Sequence, residues 1–422
     1  MYETMPTAKI LEMYYTELER LGYSESEISH NRSYGKQFLK YVESKGSSIG
    51  FTRKLARDYI TECYGINPDA LYGEIKNPKA QYRLRFCEKL ASFCECKPFK
   101  HSYLRHDNYP LPEKFNIITS EYYEYKSKNG THSEITVKHH YSVARQFFSY
   151  AVSKGIESCA GMNEETVREW IISLERLRPV TVKGYCCCLV DFLVWIYNNG
   201  HINCDLSPIV PSVRLWRLAP IPSVWKKGDL EKLLGSVDRG SPLGKRDYAI
   251  LLLAAGLGLR ASDIKMLKME NLKWRSEKGK STIELTQYKT GLPNSLPLLT
   301  NVGNAIIDYL KNGRPVSDSP YVFLRHNAPF EPFEQEGTMS SIINRYAKRA
   351  GIELSPAAKH GIHSLRHTFA SNLVAHNTPL ESVTGLLGHL NTQTAHIYIK
   401  VAIDELRECA LSPLEVIPIE KT

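Results

Sequence analysis

Histidine and arginine residues with helical spacing occur near residue 365 of the chain. His363 and Arg366 lie three residues apart, so they share one face of a helix. His360 and His367 extend the series to i, i+3 and i+7, a spacing at which three imidazoles could bind zinc. The zinc interpretation is disfavoured because Arg366 would add positive charge there and no catalytic glutamate accompanies the histidines. We instead expect His367 to pack or to form a structural hydrogen bond.

Three further segments carry charged or nucleophilic residues that could belong to one site with His363 and Arg366. Arg260 follows an apolar helical stretch in the run Gly-Leu-Gly-Leu-Arg, where it would also fit a simple helix-end charge. Lys289 occurs in the turn Lys-Thr-Gly between two extended runs, and Tyr398 follows His389 of Leu-Gly-His by nine residues. No P-loop, dinucleotide-binding fingerprint or H-E-x-x-H motif occurs.

The order of these motifs is more specific than any one of them. The series G-L-R-x-S-D, K-T-G, H-x-x-R-H-T-F-A and L-G-H with its tyrosine resembles the tyrosine recombinases, the phage-integrase-like site-specific recombinases. The motifs cover residues 228–405, and residues 112–205 resemble the family's core-binding domain more loosely. Leu257 stands where the family commonly has threonine, and Leu292 where a basic residue is frequent.

The resemblance implies a site whose members have separate roles. Two arginines would hold the nonbridging phosphate oxygens by bidentate hydrogen bonds, a histidine would transfer the tyrosine's proton, and a lysine would protonate the leaving 5′-oxygen. A tyrosine needs such help because its pKa is about 10. In the implied set Tyr398 is the nucleophile, and His363 is the leading candidate for proton transfer. Arg260, Arg366 and His389 would contact the phosphate, and Lys289 would protonate the leaving oxygen. Asp263 would orient its neighbours.

The implied activity is cleavage and rejoining of DNA strands through a 3′-phosphotyrosyl intermediate, without metal, ATP or another cofactor. Integration, excision or transposition of a mobile genetic element is the preferred outcome. The alternatives are strand relaxation of the type IB topoisomerase kind, chromosome-dimer resolution, and a catalytically silent DNA-binding protein. The intact catalytic set disfavours the silent protein, and the helical duplication described below disfavours the topoisomerase.

Composition sets wider limits on the class of protein. The 422 residues predict about three domains, and 54 Lys and Arg against 45 Asp and Glu give a net charge of +9. That excess fits an anionic partner but also an ordinary enzyme. The start of the chain lacks a secretory signal pattern, and the longest apolar run, residues 248–259, is too short to span a bilayer. We expect a protein of the bacterial cytoplasm or nucleoid with no membrane partner.

The elements that must position the site follow from periodicity. Residues 37–46 parallel residues 146–155, each helix ending in Lys-Gly, which predicts two helical domains at 1–105 and 112–205. Ser24 and Glu27 form a capping-box pattern. A basic, proline-rich linker at 206–225 leads to a catalytic domain at 226–411, and the tail at 412–422 is a candidate inter-protomer contact. Residues 281–288 and 294–298 predict a small β-hairpin within this otherwise helical domain.

The fold class is therefore mainly α with a small β-hairpin or sheet, and the resemblance implies a multidomain, C-shaped clamp on DNA. It also implies double-stranded DNA with specific recombination sites as partner, a homotetrameric synapse, and an excisionase or architectural accessory protein as a further candidate partner.

Basic and polar positions could contact phosphates, although each would equally fit a solvated surface. These positions are Lys138, Arg145, Thr181, Lys183, Arg214, Arg217, Lys265, Lys273 and Arg275.

Overall fold

The computed structural model describes residues 5–46, 50–67, 77–99, 109–128, 132–214, 223–277, 280–333, 339–354, 360–388 and 398. Within these residues the chain is mostly helical and contains one small sheet, which confirms the predicted secondary-structure class. The chain divides into two compact units, Met1–Thr16 with Ser29–Ala219, and Glu17–Ile28 with Pro220–Thr422. The finer domain boundaries given above stay predictions, and the tail at 412–422 lies outside the described residues.

Eight α-helices precede residue 200 in the described part of the chain. The predicted cap at Ser24 is present, because its Oγ accepts the N–H of Glu27 at 3.3 Å. The helix after it ends at Lys45, next to the predicted Lys-Gly stop. The helices are α1 (Thr7–Arg20), α2 (Glu25–Lys45), α3 (Arg53–Tyr64), α4 (Pro78–Cys94), α5 (Glu113–Lys128), α6 (Glu134–Ser153), α7 (Glu164–Ser173) and α8 (Pro179–Asn198).

Helices α5 to α8 enclose an aromatic core. Phe148 and Phe192 are fully buried and meet edge to face with ring centroids 5.0 Å apart, and Trp170 packs on Phe147. Helix α8 is long and apolar enough to cross a membrane by composition alone. Its stripe of Leu189, Phe192 and Ile196 lies in this core instead, as the helical spacing of those residues predicts.

The second unit is built around one apolar helix. This helix begins after the cap Ser241, with Pro242 at its first position, and its residues 249–254 are buried. The described α-helices of the unit beyond residue 223 are α9 (Lys227–Gly235), α10 (Pro242–Leu257), α11 (Ala261–Lys265), α12 (Thr300–Asn312), α13 (Ser340–Arg349), α14 (Ile362–Ala375) and α15 (Leu380–Leu387). Helix α10 packs against both α12 and α14, so the apolar helix supports the elements that carry the predicted site.

The predicted hairpin is present and has a third strand. Strands β2 (Thr282–Thr286) and β3 (Pro293–Pro297) pair antiparallel, with Glu284 opposite Ser295. Strand β1 (Leu272–Lys273) pairs antiparallel with β2 and gives the order β1-β2-β3. Ile283 and Leu296 point into the core on the buried face of the sheet, so the turn between β2 and β3 projects from a fixed base.

Candidate active site

Arg260 stands at the junction between α10 and α11. Gly258 ends α10 in the left-handed conformation, φ +64°, and a Cβ there would lie 2.5 Å from the Phe369 ring. Arg260 then takes an extended backbone at the N-cap of α11, and its side chain is buried. Its Nη1 donates to Oε1 of Gln287 at 2.6 Å and its Nη2 to the carbonyl of Gly388 at 3.2 Å. Burial lowers the pKa of its guanidinium.

Arg366 lies on α14 and is also buried. Its Nη1 donates to the Gly258 carbonyl at 2.6 Å and its Nη2 to the Leu387 carbonyl at 2.7 Å. Burial, followed by the charge of Arg260, lowers its pKa to about 10. The guanidinium therefore remains charged at neutral pH. Two cations are thus held beside each other by backbone carbonyls and one side-chain amide, which fix their positions without neutralising them.

Lys289 and His363 line a pocket of about 300 Å³ together with Arg260, Lys265 and Ser340. His363 is exposed at the pocket, but the atoms that crowd its ring and the charges of nearby cationic groups lower its pKa well below the ordinary 6.5. Its imidazole is therefore neutral at physiological pH, and the same effects make it a weaker base than an ordinary imidazole. The Lys289 side chain is exposed in the turn after β2, free to approach a ligand in this pocket.

Tyr398 is buried next to α14. Its hydroxyl lies 3.1 Å from Nδ1 of His367, and the two rings have centroids 5.7 Å apart. Burial raises the pKa of the phenol, whereas the charges of Arg366 and Arg260 lower it. The spacing of the histidines predicts only packing or a structural hydrogen bond for His367. The hydrogen bond exists, and its partner is the predicted nucleophile, a contact that no local spacing could reveal.

Asp263 ties the hairpin turn to α11. Its Oδ1 accepts the backbone N–H of Tyr288 at 2.9 Å, and its Oδ2 is 3.9 Å from Nη1 of Arg260. Oδ2 is buried and has no hydrogen-bond partner among the described residues. Burial raises the pKa of this carboxyl. Asp263 therefore contacts the residue next to Lys289 and faces Arg260, and its orienting role stays a prediction.

The second unit thus brings together five members of the predicted catalytic set. Arg260, Lys289 and His363 line the pocket, and Arg366 and Tyr398 lie in the buried layer beside it. His389 lies outside the described residues.

The three histidines of the zinc interpretation do not converge. The ring of His360 packs against Trp225 with centroids 5.9 Å apart, whereas His367 bonds Tyr398. Another group in the described chain, His132, His140 and Asp191, has possible ligand atoms within 4.8 Å of one another. The Lys126 ammonium already donates to Asp191 at 2.8 Å, so a cation at that position would meet a positive charge.

The residues predicted to contact phosphates differ in their exposure to solvent. Lys183, Arg214, Lys273 and Arg275 are exposed, Thr181 is half-buried, and Lys138 is exposed and paired with Glu134 at 3.0 Å. Arg217 lies outside the described residues.

One of these predictions needs correction and a second changes its location. Arg145 is buried, and its guanidinium donates to Asn116 Oδ1 at 2.6 Å and to the Tyr109 carbonyl at 2.8 Å, so it joins parts of its own unit. Lys265 is buried too, but it lines the pocket with Arg260, so its contact with a phosphate stays a prediction. Helical charge patterns place such residues on a face, but they do not show whether another element covers that face.

Comparison with known proteins gives a consistent set of similarities. A family model described as the phage integrase family matches residues 224–405. The chain is 35% identical over 192 residues to the putative integrase/recombinase y4gC of Sinorhizobium fredii, covering 45% of this chain and 95% of that protein. It is 31% identical over 235 residues to tyrosine recombinase XerD of Listeria innocua, covering 54% and 74%.

Longer relatives and solved structures extend the similarity. The putative integrase/recombinase y4rA of Sinorhizobium fredii is 36% identical over 280 residues, and the alignment spans 66% of each chain. The chain spans half the length of a further relative, y4rF of the same organism. The fold is similar to XerH recombinase in a post-cleavage complex with difH substrate, with TM-score 0.54, 18% identity, and 85% and 93% of the chains covered. It is also similar to a lambda integrase dimer bound to a core site, with TM-score 0.52, 17% identity, and coverage of 71% and 99%.

Proposed function

Because the chain belongs to the tyrosine recombinase family, we propose that it is a site-specific recombinase that cuts and rejoins DNA through Tyr398. The observation that carries the proposal is the contact between the Tyr398 hydroxyl and Nδ1 of His367, beside two buried guanidinium groups. A buried tyrosine beside a proton acceptor and two cations suits nucleophilic attack on a phosphodiester.

The two arginines stabilise the charge that grows on the phosphate. As the phosphorus becomes five-coordinate, negative charge builds on the nonbridging oxygens, and fixed cations in a site with little water lower the energy of that state. Arg260 and Arg366 are charged and pre-positioned by carbonyl and amide acceptors. Little reorganisation is then needed at the moment of reaction. His389 is proposed to bond the same phosphate.

The proposed step forms one bond and breaks one bond. The Tyr398 oxygen bonds to phosphorus, the bond from phosphorus to the 5′-oxygen breaks, and a 3′-phosphotyrosyl link and a free 5′-hydroxyl result. The phenol's proton passes to a histidine. His367 is favoured as the proton acceptor because of its 3.1 Å contact with the phenol. His363 lies beside His367 at the pocket, but its lowered pKa disfavours holding the proton there.

Lys289 supplies the proton that the leaving 5′-oxygen takes up. Its exposed ammonium, on the turn beside the pocket, can reach that oxygen while the arginines hold the other phosphate oxygens. Attack by a 5′-hydroxyl on the phosphotyrosine reverses the step and rejoins a strand. One phosphoester replaces another in each direction, so this chemistry requires neither ATP hydrolysis nor a redox cofactor.

The proposed substrate is double-stranded DNA bearing specific sites. XerH is recorded with its difH substrate and lambda integrase with a core site, and another lambda integrase structure is a tetramer on a Holliday junction. By similarity we propose a C-shaped clamp and a tetrameric synapse for this chain. Exposed Lys183, Arg214, Lys273 and Arg275 are the proposed phosphate contacts.

The proposed role is integration or excision of a mobile element in the bacterial cytoplasm, with an excisionase or architectural protein as candidate partner. The names of y4rA and y4gC, putative integrase/recombinases, favour this role.

A plasmid assay separates site-specific recombination from strand relaxation and from DNA binding without cleavage. Sites are selected by the full chain from a random DNA library, and two copies are placed on a supercoiled plasmid. We expect deletion or inversion products between the copies. Relaxed plasmid without exchange would indicate a topoisomerase, and site binding with no cleavage would indicate a silent DNA-binding protein.

A further inference from the structure

We propose that Gln287 is a positioning residue that holds Arg260 and the Lys289 turn in one arrangement, an inference that rests on the proposed function. Gln287 follows β2 and is only 1% exposed. Its backbone N–H donates to the Leu292 carbonyl at 2.8 Å, and its carbonyl accepts the N–H of Gly291 at 2.9 Å. Gln287 therefore closes the base of the turn that carries Lys289.

The side-chain amide of Gln287 joins three separate segments. Its Oε1 accepts Nη1 of Arg260 at 2.6 Å and Oγ1 of Thr290 at 2.9 Å, and its Nε2 donates to the Leu387 carbonyl at 3.1 Å. The segments are the start of α11, the hairpin turn and the end of α15. A single amide thus links the cation for the nonbridging oxygens to the turn bearing the proposed proton donor.

Carbonyl groups at the end of α15 accept hydrogen bonds from both arginines and from Gln287. The Leu387 carbonyl accepts Nη2 of Arg366 as well as Nε2 of Gln287. The Gly388 carbonyl accepts Nη2 of Arg260. Carbonyls at a helix carboxyl terminus carry partial negative charge and favour cations. A Cβ at residue 388 would lie 2.0 Å from Nε2 of Gln287, so the glycine there leaves the space that the amide occupies.

A neutral acceptor suits this position better than a charged one. A carboxylate bonded to Arg260 would offset the positive charge that the phosphate is proposed to need. Within the described part of the chain, the nearest carboxylate to that guanidinium is Asp263 at 3.9 Å, beyond hydrogen-bond distance. The Gln287 amide fixes the guanidinium by a 2.6 Å hydrogen bond and leaves its net charge intact.

The test compares two replacements of Gln287 with a control on the same strand. Gln287→Met keeps the length without the hydrogen bonds, and Gln287→Glu adds a carboxylate next to Arg260. Thr286→Ala, an exposed neighbour on β2, is the matched control. Single-turnover formation of the covalent adduct is measured with the full chain on a selected DNA site. The scissile group is either an ordinary phosphodiester or an uncharged methylphosphonate, and site affinity and thermal unfolding are measured in parallel.

We expect Gln287→Met to slow adduct formation on the phosphodiester by roughly 10- to 100-fold with unchanged site affinity, because a displaced charge stabilises the transition state poorly. Gln287→Glu should be slowed at least as much. The defect of Gln287→Met should shrink on the methylphosphonate, which lacks the charge that Arg260 meets. A wild-type rate for Gln287→Met, or an equal loss on both substrates, would overturn the inference.

A second measurement does not depend on cleavage. In the full chain labelled with ¹⁵N-arginine, the side-chain signal of Arg260 is assigned by its loss in Arg260→Lys. We expect that signal to shift and broaden in Gln287→Met and to stay unchanged in Thr286→Ala. An unchanged signal in Gln287→Met overturns the inference. Absence of any adduct with the wild-type chain contradicts the proposed function instead, so the two failures are distinct.

Discussion

The Tyr398 hydroxyl lies 3.1 Å from Nδ1 of His367, one helical turn beyond His363 on α14. The side chains of His363 and His367 face each other on that helix, with ring centroids 5.8 Å apart. Two imidazoles therefore connect the buried phenol with the pocket that Lys289 lines. Which ring nitrogen of His367 carries the proton depends on its tautomer, and Nδ1 accepts from the phenol when the proton is on Nε2.

This contact predicts a graded series of defects at residue 367. His367→Ala should slow adduct formation by about 100- to 10,000-fold, because the phenol loses its proton acceptor. His367→Asn should fall between alanine and wild type, since its amide can bond the phenol near the Nδ1 position but cannot take up a proton. Single-turnover cleavage of a selected site checks this, with site affinity as the control. Faster cleavage by His367→Ala would mean that the contact restrains Tyr398 instead of activating it.

The leaving-group role of Lys289 is tested by changing the leaving atom. Lys289→Ala should slow cleavage of an ordinary site by about 100-fold or more, because the 5′-oxygen would depart without a proton. Replacing that oxygen by sulfur gives a thiolate, which leaves without protonation, so the defect should largely disappear. His367→Ala acts on the nucleophile and should stay defective on the sulfur substrate. Equal defects of Lys289→Ala on both substrates would argue against proton donation.

The Trp225 indole predicts a measurable contribution to stability. Its Nε1 donates to Ser364 Oγ at 2.7 Å, and its backbone N–H donates to Thr368 Oγ1 at 2.8 Å, so residue 225 is bound to the helix that carries His363 and Arg366. Trp225→Phe should lower the free energy of unfolding by about 1 kcal/mol or more, through the lost hydrogen bond and lost packing. Urea denaturation checks this.

Trp274 provides the control for that measurement. Its side chain is 44% exposed, so Trp274→Phe should change the free energy of unfolding by less than about 0.5 kcal/mol. A double-mutant cycle of Trp225→Phe with Ser364→Ala should give a coupling energy of about 1 kcal/mol. Additive effects would contradict the assigned hydrogen bond.

His326 predicts a loss of stability in mild acid. Burial, followed by the charge of Arg246, lowers its pKa to about 4. Between about pH 6.5 and pH 4 the unfolded chain binds a proton at this residue that the folded chain does not bind, so stability falls as pH falls through this window. The slope from one histidine is at most about 1.4 kcal/mol per pH unit.

His326→Leu should therefore show a smaller loss of unfolding free energy between pH 7 and pH 5 than wild type. Exposed His376→Gln controls for the removal of one imidazole. Parallel pH profiles of wild type and His326→Leu would contradict the proposed acid sensitivity at His326.

The sequence allows the secondary structure to be predicted where periodicity is strong. Helix α10 and strands β2 and β3 follow from apolar and alternating patterns, whereas β1 has two residues and is defined only by its pairing with Ile283 and Thr282. The proposed catalytic positions Arg260, Lys289, Arg366 and Tyr398 are inferred from the order of the motifs along the chain.

Contacts between residues far apart in the sequence cannot be predicted from the spacing of residues along the chain. His367 and Tyr398 are 31 residues apart, and Gln287 meets Leu387 across 100 residues. The burial of Arg145 likewise depends on Asn116 of a neighbouring helix, which no pattern along α6 encodes. Polar side chains in the interior obey hydrogen-bond geometry in three dimensions, so their roles appear only when the segments are placed together.

Covalent attachment of DNA to Tyr398 is the direct test of this residue as the nucleophile. The full chain is incubated with a nicked duplex that carries a selected site or the ends of a flanking element, and the products are separated on denaturing gels. We predict a protein–DNA adduct in the wild-type chain and none in Tyr398→Phe. Arg260→Ala and Arg366→Ala should lose the adduct while retaining binding. An adduct of normal yield in Tyr398→Phe, or its absence in a wild-type chain that binds the site, would contradict the account.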